Sequence, residues 1–162
     1  MGKTMKNRER GFSLIELLIV VAIIGIIAAI AIPNLLKSQQ AAHETAAKAE
    51  LKTIGSTQVL YSISKGHGKF ADLPTLGSLG YVDSNMAAGV KGGYVFASTP
   101  INAEGMPPMF DTTAHPSSIG TFGTGNVSFY SNETQVLYET DGIQPPTATP
   151  QDRMPKDGTP IQ

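Results

Sequence analysis

Residues 17–32, LLIVVAIIGIIAAIAI, form an apolar run without one charged side chain. Glu16 stands at its head and Pro33 at its end. From Phe12 to Ile32 the stretch reaches roughly 31 Å as a helix, enough to cross a hydrocarbon core of about 30 Å. A helix buried in a soluble core would show a polar face, and this one shows none. A cleaved secretory signal has an apolar region of only about 7–15 residues followed by a small-residue cleavage site. This run is longer and no such site follows it, so the pattern predicts a membrane helix retained in the mature chain. Basic residues precede the run and only Lys37 follows it closely, which places the N-terminus in the cytoplasm and the body outside.

After Pro33 the pattern changes from uniformly apolar to periodic. A proline inside a helix removes one backbone hydrogen bond, so a kink is expected here rather than a stop. Residues 34–65 are rich in Ala, Leu, Lys, Glu and Gln, all good helix formers. Ala47, Leu51, Ile54, Gln58 and Tyr61 recur at helical spacing and mark one apolar face, which Leu60 and Ile63 widen. Glu44 and Lys48 are spaced as an i,i+4 pair on the opposite side. Gly66 ends the element. Residues 12–65 are thus one kinked helix of roughly 81 Å.

Beyond Gly66 the periodicity shortens. A Gly-rich loop with one short helical turn near Leu76–Leu79 precedes GGYVFAS, residues 92–98, the first strand. Residues 101–125 read as irregular, with Phe110 as an anchor. NVSFYSNETQVLYET reads as a hairpin, with strands at 126–130 and 135–139 and a turn at Asn132–Glu133–Thr134. The order is α+β: a long helix, then a small antiparallel sheet of three to four strands packed on the Leu51–Tyr61 face. The tail, residues 143–162, is Pro-rich with few apolar groups, and is read as extended or disordered. The segments are 1–11, 12–33, 34–65, the head 66–142, and the tail.

Charge sharpens this picture. Net charge is −1, with 15% charged residues. Residues 1–11 hold Lys3, Lys6, Arg8 and Arg10 against Glu9, leaving eight basic and twelve acidic side chains in the rest. A mildly acidic body is poorly suited to binding phosphate backbones, so no specific nucleic acid is expected. The absence of cysteine excludes disulfides, thiolate metal sites and a cysteine nucleophile. Glu16 is the anomaly, because an acid within a membrane span is costly and calls for a partner. Cutting after Gly11 would create a free amine on Phe12, the matching charge at the tip of the same helix.

RGFSLIELLIVVAIIGIIAAIAIPNL resembles the class III signal of type IV prepilins: a short basic leader, Gly11, Phe12, the Leu-Ile-Glu-Leu core, a long apolar span and Pro33. The close resemblance covers residues 8–36. It implies cleavage between Gly11 and Phe12 by a prepilin peptidase, with residues 1–11 removed and Phe12 N-methylated. It implies that Glu16 pairs with the Phe12 amine of a neighbouring subunit, and that Pro33 marks a kink. The implied function is structural rather than enzymatic. The subunit waits in the bacterial inner membrane, then joins a helical homopolymer, the extracellular pilus, used for adhesion, motility or DNA uptake. Implied partners are the pilus assembly machinery and minor pilins, with no cofactor. Small residues at Gly25, Ala28, Ala29 and Ala31 allow helices to approach closely. The runner-up is a pseudopilin of type II secretion, which shares the signal. Its head normally carries an Asp-Pro-Trp-Gly-like stretch and a C-terminal calcium loop. Tryptophan is absent here, and ETDG, Glu139–Gly142, is only an acidic turn.

Other chemistry is sparse. His43, His67 and His115 do not share ligand spacing, so no metal site is expected. Ser13 has no paired base, and Gly66–His67–Gly68 lacks the Lys-Ser/Thr of a phosphate loop. No catalytic constellation is found.

Overall fold

The computed structural model describes residues 11–161. The basic leader residues Lys3, Lys6, Arg8 and Arg10 lie outside the described residues. The chain divides between Leu35 and Leu36 into two compact units. Helix α1, Leu14–Ser64, contributes to both. It contains Pro33 without ending there, as expected of a proline that costs one hydrogen bond in an otherwise strong helical sequence.

In the unit beginning at Leu36, α1 buries Gln40, Ala47, Leu51, Ile54, Gly55, Thr57 and Gln58. The expected stripe is present through Gln58, with Tyr61 half-buried edge-on to Tyr81 at 5.8 Å. Leu60 and Ile63 do not widen it: both are exposed, Ile63 at 77%. At about 100° per residue, Leu60 lies about 200° round the helix from Gln58 and so faces away from the sheet. Glu44 and Lys48 do not pair with each other either. The Asn126 N–H donates to Glu44 Oε1 at 2.9 Å, and Lys48 Nζ lies 3.2 Å from Glu139 and 5.1 Å from the Phe129 ring centre.

Two short helices follow, α2 (Leu73–Ser78) and α3 (Ser84–Ala87), each started by an aspartate, Asp72 or Asp83, whose carboxylate accepts first-turn N–H bonds. Six strands then form one antiparallel meander in chain order: β1 (Val90–Lys91), β2 (Tyr94–Ile101), β3 (Met109–Pro116), β4 (Val127–Asn132), β5 (Leu137–Asp141) and β6 (Thr159–Ile161). The sheet therefore has six strands, not three to four. Gly92 and Gly93, both at positive φ (57° and 79°), form the two-residue turn from β1 to β2 that side chains would strain. The β4–β5 turn falls at residues 133–136, later than read from the sequence, with Ser131 opposite Leu137 and Tyr130 opposite Tyr138.

The sheet is covered on both faces. Tyr94, Phe96, Ala114, Phe129 and Leu137 share one core cluster with Ala47, Leu51 and Ile54 of α1. The alternate positions Asp111, Tyr130, Asn132 and Tyr138 face the other way, as the period of two requires. There the tail lies against them. Pro146 and Pro155 are buried, and a Cβ on Gly158 would approach Pro146 and Tyr138 within 3.1 Å. The tail is extended, as its prolines demand, but it ends as the sixth strand.

A fragment beginning at Leu36 is expected to fold alone, with helix and strand signals together in far-UV circular dichroism. One beginning at Ala41 is expected to be less stable, because it lacks Gln40, whose amide donates to Gly120 O at 2.7 Å and Gly123 O at 3.1 Å. Equal unfolding midpoints would contradict this role for Gln40.

Candidate functional site

The N-terminal unit combines two features, a polar helix start and an apolar surface. Gly11, Phe12 and Ser13 precede α1. The Ser13 hydroxyl accepts the Ile15 N–H at 3.3 Å, and Glu16 Oε2 accepts the Ser13 N–H at 2.9 Å. Glu16 is the third residue of the helix, so this is the reciprocal Ser-x-x-Glu arrangement that satisfies N–H groups left free at a helix start. The carboxylate also meets the positive end of the helix dipole. The sequence reading weighed Ser13 only as a nucleophile and found no paired base for it; the four-residue Ser-Leu-Ile-Glu spacing was the available signal for the cap.

From Phe12, 87% exposed, through Leu35 the large apolar side chains are exposed on every side of the helix. This is the one described helix long and apolar enough to cross a membrane, and its most apolar window is entirely unburied. Such a surface requires lipid or other helices around it. Two glycines in this unit have no role in the folded chain itself. A Cβ on Gly11 or on Gly25 would meet nothing within 4 Å. A mid-helix glycine costs about 1 kcal/mol relative to alanine, and no contact within the chain requires one at Gly25. Phe12 precedes α1 and Glu16 lies in its first turn, whereas Pro33 stands apart from them further along α1.

A second polar cluster, absent from the sequence reading, is centred on Arg153. Its Nε donates to Glu133 Oε1 at 2.6 Å, and its Nη2 to Glu133 Oε2 at 2.7 Å, Asp111 Oδ1 at 2.6 Å and Phe110 O at 3.0 Å. Asn132 Nδ2 donates to Arg153 O at 2.8 Å, and the Tyr130 hydroxyl to Asp111 Oδ1 at 2.6 Å. The Glu133 hydrogen bonds, with those of Asp111, hold the guanidinium charged and raise its pKa. Burial works against the Glu133 carboxylate, but Arg153 outweighs it and the pKa falls below the ordinary glutamate value. The cluster ties the tail to β3 and to the β4–β5 turn. Both carboxylates and the Arg153 Nε and Nη2 are paired within the cluster, while Nη1 is buried without a partner among the described residues.

Residues 6–32 match the family model described as "Prokaryotic N-terminal methylation motif". Over 112 residues the chain is 40% identical to the type IV wide pilus major component PilA4 of Thermus thermophilus, covering 59% of this chain and 85% of that protein. The chain belongs to the type IV pilin family. This pilin is also 59% identical over 51 residues to the type IV major pilin protein PilA of Myxococcus xanthus, covering 32% of this chain but only 23% of that one. A type II secretion system core protein G, from Pseudomonas aeruginosa, is 34% identical over 58 residues, covering 36% of this chain and 41% of the relative. That weaker, shorter match leaves the pseudopilin reading second. The chain thus spans under half the length of two of these three relatives. No solved structure matches the pilin.

Proposed function

We propose that this pilin is the structural subunit of a bacterial type IV pilus and polymerises through its apolar N-terminal helix. A charge-free helix surface, exposed all round and headed by one carboxylate, carries the reading. Such a helix is stable in the inner membrane before assembly and inside a bundle of identical helices afterwards. Helix association gains little from hydrophobicity within lipid, so close packing at Gly25 and a charge pair at Glu16 must supply register.

In this proposal a prepilin peptidase cuts between Gly11 and Phe12 on the cytoplasmic side. The new Phe12 amine is methylated and pairs with Glu16 of a neighbouring subunit. Pro33 allows the helix to bend, and the assembly machinery with minor pilins passes the head to the cell surface. Glu16 then exchanges its bond to the Ser13 N–H for a charged partner, a stronger kind of hydrogen bond.

The test is the N-terminus of the subunit in sheared surface filaments. Mass spectrometry is expected to find Phe12 first, carrying one extra methyl group. Gly11→Leu is expected to leave the precursor uncut in the membrane and the cell without filaments. The described chain offers no steric reason against that side chain, so loss of cutting would report the peptidase's requirement. A mature chain beginning at Met1, or beyond Ile32, would overturn the proposal.

A further inference from the structure

In an antiparallel sheet, successive residues turn their N–H and C=O groups to opposite neighbours, so the register decides which backbone groups face an open edge. At one end of this sheet β6 pairs with β5, with Leu137 opposite Ile161, Tyr138 opposite Pro160 and Glu139 opposite Thr159. No described strand pairs with the other side of β6. The Gly142 N–H donates to Asn126 O, towards β4, at 2.7 Å. By alternation Thr140 and Tyr138 also turn to β4, and Leu137 and Glu139 turn to β6. Thr159 and Ile161 therefore bond β5, and Pro160 faces outward. Its missing N–H loses no bond to β5 and removes the donor that this three-residue strand would offer on its open side.

The opposite end is built in the same way. Strand β1 covers only the start of β2, at Tyr94 and Val95. The Phe96 N–H donates to Gly89 O at 2.7 Å, so Phe96, Ser98 and Pro100 turn to that side, away from β3. Pro100 again places its missing N–H where β1 does not reach. Just beyond it the Asn102 side chain meets the Phe70 backbone, accepting its N–H at 3.2 Å and donating to its C=O at 3.0 Å. Each end of the sheet thus carries a proline turned away from its paired neighbour.

We infer that the tail is an edge guard: β6 occupies the side of β5 on which the sheet would otherwise add a strand from a second copy, and Pro160 closes the new edge that β6 creates. Without β6, Leu137 and Glu139 would present unpaired N–H and C=O groups in a row, the template on which strands of separate chains pair. A second copy offers the same groups, and two β5 strands related by a two-fold axis satisfy each other alike. The chain supplies the guard from itself. Residues 142–158 tether β6 to β5, and Arg153 fixes that tether to Glu133 and Asp111, so the guard meets its edge at high effective concentration. The inference concerns the head alone and goes beyond the polymer reading, since it describes an association that the fold prevents.

The test compares the detergent-dispersed full chain with a chain ending at Asp157, which lacks β6 but keeps the Arg153 cluster. Hydrogen exchange at residues 137–141 is followed in dilute and in concentrated protein. In the shortened chain exchange there is expected to be fast when dilute and on the order of tenfold slower when concentrated, as β5 pairs with a second copy. In the full chain it is expected to be slow at both concentrations. Exchange independent of concentration in the shortened chain, with the α1 core still protected, would overturn the inference. So would an equal concentration dependence in the full chain. If protection at Leu51 and Ile54 is lost, the shortened chain has not kept its fold, and Pro160→Val in the full chain decides. That substitution restores the outward N–H, so position 160 of two copies can exchange a pair of bonds. The new amide is expected to exchange on the order of tenfold slower in concentrated than in dilute protein. No concentration dependence at that amide would overturn the inference. Filaments play no part in these readings, so failure of the polymer reading would leave them unchanged.

Discussion

Arg153→Ala is expected to release the tail from the sheet and to lower the stability of the head by about 2–4 kcal/mol. Removing one side of a fully buried ion pair costs roughly 3–5 kcal/mol, because the surviving charge stays buried and unpaired. Here Glu133 and Asp111 would both lose their cation, but each keeps some access to water, which reduces the loss. Arg153 Nη1 is itself buried without a partner, a cost that the substitution also removes. Arg153→Lys should recover only part of the stability, since one ammonium cannot reproduce the paired bonds to Glu133 together with those to Asp111 and Phe110 O. Urea unfolding of the detergent-solubilised subunit measures the cost. Hydrogen exchange locates it, with faster exchange expected at residues 143–161 and at β6 while the α1 core stays protected. A loss below about 0.5 kcal/mol would show that Pro146, Pro155 and the β5–β6 pairing hold the tail without the cluster.

The same cluster makes that region pH-sensitive. The folded-state pKa of Glu133 is depressed, so its contribution is complete above the ordinary glutamate value of about 4.3. It is lost as pH falls through the lower folded value. Exchange in the tail should therefore accelerate on acidification below about 4 in the native chain. In Arg153→Ala the Glu133 part of that dependence should be gone.

The sequence made the N-terminal half legible because nothing there opposes the pattern. Leu17–Ile32 has no polar position to interpret, and Ala47, Leu51, Ile54 and Gln58 follow a single period. Strand β3 was hidden for the opposite reason. Thr112 and Thr113 favour strands, but Asp111 and Pro116 are depleted in them, and with the prolines at 107 and 108 just before, the segment reads as loop. Their alternation makes sense only once both faces are known. Phe110 and Ala114 are buried on the α1 side, while Asp111 meets an arginine more than forty residues later in the chain. The Thr112 hydroxyl is satisfied by Ser131 O, again across the sheet. Gln40, Glu44 and Lys48 were likewise ordinary helix-surface residues until their long-range partners appeared. Local spacing cannot report a partner eighty residues away. Glu16 differs: its local partner, Ser13, was readable from the four-residue spacing, and that partner changes how its substitutions should be tested.

Two substitutions at Glu16 separate the cap from the proposed charge pair. Glu16→Gln keeps an acceptor for the Ser13 N–H and removes the charge. Glu16→Val removes both. Losing a helix-start acceptor costs about 0.5–2 kcal/mol. That is too little to unfold a long helix whose apolar surface lies in lipid, and removing an acid from the span favours insertion. Both variants are therefore expected to insert and to be processed at normal levels. Losing the pair is a different matter. A Phe12 amine left buried among apolar helices without its counter-charge costs on the order of 3–5 kcal/mol at every subunit. Both variants should then yield few or no filaments, because the penalty repeats along the polymer. The measurement is processed subunit in the membrane against sheared filament outside the cell, for both variants in the native host. Normal filaments from Glu16→Gln with loss only in Glu16→Val would assign Glu16 to helix capping alone. Normal filaments from both would leave the carboxylate without a role in assembly, and the polymer would have to take its register from the packing of the apolar helices and the heads.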